Sequence, residues 1–134
     1  MTDPEVETLI AAARAIQGTF ALSKPDLKIG AVAAALRTRS GAVHTGVCLD
    51  LACGVGFCAE HAAIAEMLKH REREIAAIVA LNDGRILSPC GRCRELMLQL
   101  TPLNRGTIIV LPGRRLVALE ELLPEYWLGE DYGP

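Results

Sequence analysis

Two cysteines three residues apart, Cys90 and Cys93, follow a proline in the stretch LSPCGRCREL (87–96). At what reads as a helix start, that spacing puts both thiols on one face, a turn apart. The helix dipole and free backbone N–H groups there favour the thiolate. Two thiolates on one turn chelate zinc well but leave part of its tetrahedral shell unfilled. The stretch GFCAEHAAIAEMLKH (56–70) supplies a companion pair, Cys58 and Glu60, also entering a helix. Cys58 is the natural third ligand if both helix starts meet above the same strand ends. Glu60 then lies in the same first turn, close to the metal but outside its ligand geometry. A carboxylate beside a three-thiolate zinc with an open position is what hydrolysis needs, since zinc acidifies water and the carboxylate takes its proton.

The competing arrangement is a closed structural site in which Cys53 joins Cys58, Cys90 and Cys93, leaving no place for water. The protein would then be a non-catalytic, zinc-stabilised scaffold. Against it, Cys53 lies in the loop ACGVG, five residues before Cys58, where zinc ligands are usually spaced by about two to four. Cys48 and Cys53 read instead as small buried apolar residues, with Cys48 also a pocket wall.

The elements that must position these groups fit one domain spanning residues 1–134, long enough to bury a core without disulfides. Five cysteines is an odd number, and in a cytoplasmic protein metal ligation or catalysis is the first expectation for them. The cytoplasm is expected because the acidic start MTDPEVETLI has no basic or apolar leader character. Apolar runs are strand-length, too short for a membrane. Net charge is −2 and mean hydropathy +0.27, so no basic surface is available for a phosphate backbone and nucleic-acid binding is not expected. The mixed charges of KHREREI (69–75) read as a solvated helix face.

Residues 5–17 read as an amphipathic helix with Val6, Leu9, Ile10, Ala13 and Ile16 on one face. Residues 28–50 read as a hairpin around TRSG, followed by a helix from 58 to 72 with Ile64, Met67 and Leu68 as its stripe. IAAIVALN (75–82) reads as a strand buried on both faces; NDG turns the chain and RIL leads to Pro89. A helix over 90–100, strands at 107–111 and 115–119 and a short helix EELL complete the chain. The order implies an α/β fold: a three-layer α/β/α arrangement with a five-stranded mixed sheet and helices on both faces. The third and fourth strands should be parallel, joined by a right-handed crossover.

The blocks C-A-E (58–60) and P-C-G-R-C (89–93), with Cys58 and Cys90 separated by 32 positions, resemble the zinc-dependent cytidine deaminase superfamily, whose signature has this form. Cysteine in place of histidine at 58 points to its free-nucleoside branch. HTGV (44–47), ILSPCGRCRELMLQL (86–100) and ELLPEYW (121–127) resemble segments of blasticidin-S deaminase-like proteins within that branch. The resemblance implies one zinc ion per subunit on Cys58, Cys90 and Cys93, and a homotetramer whose sites are finished by neighbouring subunits. It implies that Glu60 moves protons from water to ring nitrogen 3 and then to the departing amine of a cytosine ring, leaving uracil. Backbone groups of Ala59, Cys90 and the Ser88–Pro89 segment would contact the attacking oxygen, the base carbonyl and the amine. Cytidine, deoxycytidine and blasticidin S are the implied substrates, with another small aminated heterocycle as an alternative.

Three positions depart from the family pattern. His61 stands where tetrameric cytidine deaminases usually carry an arginine that donates to the thiolates, and histidine offers fewer donors. Cys48 and Asp50 replace an Asn-x-Glu that holds the sugar; a thiol lacks the amide's paired donor and acceptor, while Asp50 still accepts from a hydroxyl or faces a cation. Leu27, beside Lys28, stands where an aromatic usually covers the base. Trp127, in the aromatic tail PEYWLGEDY (124–132), is the expected lid contact.

Overall fold

The computed structural model describes residues 1–128. Helix α1 (Asp3–Ile16) leads into the strands β1 (Phe20–Ala21), β2 (Lys28–Thr38) and β3 (Val43–Asp50), then α2 (Ala59–Lys69). The strands β4 (Ile75–Asn82) and β5 (Arg85–Leu87) precede α3 (Gly91–Leu100), and β6 (Ile108–Leu111), β7 (Arg115–Ala118) and α4 (Leu119–Leu122) follow. The sheet has seven strands instead of five. The five expected strands form the row β3-β2-β4-β6-β7, and the two additions are short: β1 pairs with the start of β2, and β5 with the end of β4. β4 and β6 are parallel as expected, and the other pairings are antiparallel.

Three layers follow from how the central strands distribute their side chains. On β2, Ala34 and Leu36 enter the core on the side of α2 and α3, while Ala33 and Ala35 enter the core under α1. On β4, Ile78 and Ala80 take the first side and Ala77, Val79 and Leu81 the second. A strand covered on both faces needs apolar residues at every position, which is why this segment has no alternation. Alanines on β2 keep the layers close. Asn104, only 1% exposed, secures the far end of the sheet: its Oδ1 accepts from the Ile75 N–H at 2.9 Å, and its Nδ2 donates to the Arg73 and Met97 carbonyls.

Helix boundaries show where periodicity misleads. α1 buries Val6, Leu9, Ile10 and Ala13, but Ile16 is exposed because the backbone becomes extended at Gln17. α2 ends at Lys69, not 72; its sheet-facing stripe is Glu60, Ala63, Ile64 and Met67, and Leu68 falls on the exposed flank. Arg71 takes a left-handed backbone (φ 64°) just past the cap, a helix-terminating conformation usually given to glycine. Hence residues 71–74 of the charged run are a connection to β4 and not a helix face.

The start of α1 carries a capping box, with Thr2 and Glu5 exchanging backbone–side-chain hydrogen bonds, and Glu5 also accepts from Arg37 on β2 at 2.6 Å. The Thr2 N–H and the Arg37 guanidinium hold the Glu5 carboxyl down at about 2. A lowered folded pKa gives stability that is present above the unfolded value and lost as pH falls through the folded one. The stability difference between wild type and Glu5→Gln should therefore be full near neutrality. It should shrink from about pH 4.5 downward and vanish near pH 2, as read by urea unfolding at each pH.

Candidate active site

Cys58 is the N-cap of α2 and Cys90 the N-cap of α3, both with extended backbone. Neither side chain makes a capping hydrogen bond; the sulfurs converge on each other instead. Cys58 Sγ lies 3.4 Å from Cys90 Sγ, and Cys90 Sγ 3.3 Å from Cys93 Sγ, with all three within 4.8 Å of one another. A tetrahedral zinc with Zn–S bonds of about 2.3 Å would separate its sulfurs by about 3.8 Å, so this donor set fits the ion in chemistry and in size. Cys53 is exposed, at φ 60° in its loop, and stands outside the group. The expectation that it is buried is corrected: a left-handed turn carries it outward, away from the three grouped sulfurs.

Ionisation of these thiols is mutually opposed. Burial and then the charge of Glu60 push the Cys93 thiol far up, and burial, then Cys90, raises that of Cys58. The Cys90 thiol is lowered: burial works against it, but hydrogen bonds from Cys93, Cys58 and the Arg92 N–H outweigh burial. Such a trio calls for a cation among the sulfurs before all can be thiolates. His61 Nδ1 lies 3.5 Å from Cys93 Sγ. Burial, and next the charge of Arg92, lower the imidazole's pKa, so at neutral pH it is an uncharged ring that can donate through one nitrogen only.

Glu60, in the first turn of α2, is 5% exposed. Burial raises its pKa, opposed by its own backbone N–H and by Cys93. It lines a cavity of about 360 Å³ together with Cys58, Ala59 and Cys90, a volume within the range that takes small organic ligands. Val32, Cys48, Phe57 and Leu87 supply apolar wall, and Asp50 and Ser88 polar groups. Cys48 is buried and accepts the Val32 N–H at 3.3 Å, with its own thiol 3.7 Å from Asp50 Oδ2. Gly56 is where the loop before α2 crosses β3: a Cβ there would come within 2.2 Å of the Leu49 carbonyl oxygen.

Other sequence-derived candidates lie further out. Pro89 is buried beside Glu60 among Ile78, Ala80 and Ile109, and its carbonyl accepts from Arg94 Nε at 2.8 Å, leaving Ser88 as the residue of that segment on the cavity. Leu27 is half-buried in an adjoining cleft bounded by Asp50 and Arg92. Lys28 is exposed and sits opposite Asp50 in the β2–β3 register. Trp127 is 57% exposed and is not part of the cavity wall of its own chain; its backbone N–H donates to Glu95 Oε1 at 2.8 Å. Residues 129–132 of the aromatic tail lie outside the described residues.

Sequence reasoning missed Phe57 and Arg94. Phe57, directly before Cys58, bridges to Leu49 and lends the cavity its aromatic face; an aromatic abutting a ligand cysteine was the available signal. Arg94 clamps the Pro89 carbonyl and, at 3.0 Å, that of Leu122, and nothing in its spacing announces this.

A cytidine deaminase of Halalkalibacterium halodurans is 33% identical to the chain over 75% of it and 79% of that enzyme. A blasticidin-S deaminase of Bacillus cereus is 29% identical over 79% of the chain and 94% of its own length. Among solved structures, the cytidine deaminase from Burkholderia pseudomallei superposes with a TM-score of 0.73 at 31% identity, covering 95% of this chain and 100% of that one. No family model matches the chain. The chain belongs to the cytidine deaminase superfamily, close to the blasticidin-S deaminase-like proteins. It is a hydrolytic deaminase, acting on a C–N bond.

Proposed function

We propose that the chain is a zinc-dependent enzyme that removes the exocyclic amine from the cytosine ring of a free nucleoside or nucleoside-like compound, cytidine, deoxycytidine or blasticidin S, giving uracil and ammonia. The observation that carries this reading is the placement of buried Glu60 on the same small cavity as the sulfurs of Cys58 and Cys90. Cys58, Cys90 and Cys93 hold one zinc ion per subunit, which when bound supplies the Lewis acidity that makes water a nucleophile at neutral pH. Glu60 takes one proton from the attacking water and gives it to ring nitrogen 3 as the oxygen adds to carbon 4. It then carries the second proton from that oxygen to the amine as the C4–N bond breaks and ammonia leaves. The N–H groups of Ala59 and Cys90, at the starts of α2 and α3, orient the attacking oxygen and the base carbonyl. His61 donates Nδ1–H to Cys93 Sγ and so offsets part of the thiolate charge.

Substrate choice falls to the mouth of the cavity. Phe57 offers a face for the base, Asp50 accepts from a sugar hydroxyl or meets a cationic substituent, and the Cys48 thiol offers the sugar less than an amide would. Leu27, Lys28 and Trp127 complete the mouth in a homotetramer, with Trp127 reaching a neighbour's site. Its 57% exposure, with Val55 at 64%, supports such contacts. The chain folds as a single domain and works in the cytoplasm, where five free cysteines stay reduced. Among the described residues no helix is long and apolar enough to cross a membrane, and neither membrane nor nucleic acid is a partner.

Ammonia release from a panel of cytosine nucleosides, nucleotides, free cytosine and blasticidin S tests the reading. Release is expected from at least one nucleoside-type compound, abolished by a zinc chelator and restored by added zinc. Release from none, or release indifferent to chelation, would contradict it.

A further inference from the structure

Alternate residues of β3 face α2: His44, Gly46 and Cys48 are buried, and a Cβ on Gly46 would strike the α2 backbone. Cys48 lies under the N-terminal end of the helix, on the cavity with Cys58 and Glu60. His44 lies under the opposite end, about 15 Å away at 1.5 Å per helical residue. There it meets Glu66 and His70, and the three offer ligand atoms within 4.8 Å of one another. His44 is 8% exposed, its ring centroid is 5.1 Å from that of His70, and its Nε2 is buried without a hydrogen-bond partner. A buried, unpartnered imidazole nitrogen is costly and needs a reason.

The surroundings suit a cation. His70 Nε2 and Glu66 Oε1 are 3.5 Å apart, long for a hydrogen bond but close to the roughly 3.4 Å edge shared by two ligands about 2.1 Å from a tetrahedral ion. Lys69 Nζ holds the other Glu66 oxygen at 3.0 Å, leaving Oε1 toward the histidine. The C-terminal end of a helix carries partial negative charge and so favours a cation.

We propose that His44, Glu66 and His70 form a second metal site, separate from the three cysteines, for a divalent zinc-class ion. Two imidazoles and a carboxylate are the ligand set such ions take, with water completing the shell. Bound there, the ion ties the β2–β3 hairpin to the end of the helix whose other end carries Cys58 and Glu60.

Equilibrium dialysis against free zinc in molar excess over the chain, followed by elemental analysis per chain, tests the proposal. His70 and Glu66 are 53% and 42% exposed at their side chains, so His70→Ala and Glu66→Gln should fold. The wild-type chain is expected to retain one zinc more than either variant, with deaminase activity against the best substrate unchanged in both. Because only the difference is read, the result does not depend on how the cysteines bind. Equal zinc retention in the wild type and either variant would overturn the site.

Discussion

Replacing Glu60 by glutamine is expected to cut turnover by about 10²- to 10⁴-fold, the usual worth of a positioned general acid–base, while zinc content and the melting curve stay as in the wild type. The substitution nearly preserves shape, and the side chain is 5% exposed in the first turn of α2. An amide keeps hydrogen bonds but cannot accept water's proton. Burial already raises the carboxyl's pKa, so replacing it with a neutral group costs little in folding. Full turnover in the variant would remove Glu60 from the chemistry. Lost zinc would instead mark it as a support of the cysteine cluster.

Gly46→Ala should have the largest effect on stability. Its Cβ would lie 2.4 Å from the Ala63 nitrogen and 2.8 Å from the Ala59 carbonyl oxygen, both backbone atoms, and 2.5 Å from Ala62 Cβ. None of these can swing aside, so α2 must lift from β3. Overpacking of a well-filled core costs typically about 1–3 kcal/mol, and backbone on both sides places this case at or above the top of that range. Because α2 carries Cys58 and Glu60, activity should fall with stability. Gly106→Ala, with nothing within 4 Å of its Cβ, is the matched control and should leave the urea midpoint within experimental error. Equal midpoints for both variants would mean that the helix can yield.

The layers were readable because the strands that build them are nearly continuous apolar runs between turn residues. The chemistry was readable because a helical turn fixes how Cys90 and Cys93 face each other and keeps Glu60 beside Cys58. What escaped was set by contacts distant in the chain. β5 exists because Asp83 and Gly84, both with positive φ, fold RIL back on β4; the NDG turn was visible, but three residues carry too little pattern to mark a strand. β1 has two residues, and only its partner β2 defines it. The end of α2 was misplaced because Arg71 takes a backbone normally signalled by glycine. Gly46 resembles an ordinary strand residue until the helix is laid over it. His44 reads as one polar position in a hairpin, and only the fold brings it to Glu66 and His70.

Zinc K-edge X-ray absorption on the chain carrying one equivalent of zinc, in the His70→Ala background so that only the cysteine cluster contributes, is the most direct test. Three sulfur neighbours at about 2.3 Å with one light atom at about 2.0 Å are predicted, the shell of a catalytic site with room for water. Four sulfurs, or a shell of nitrogen and oxygen alone, would contradict the account.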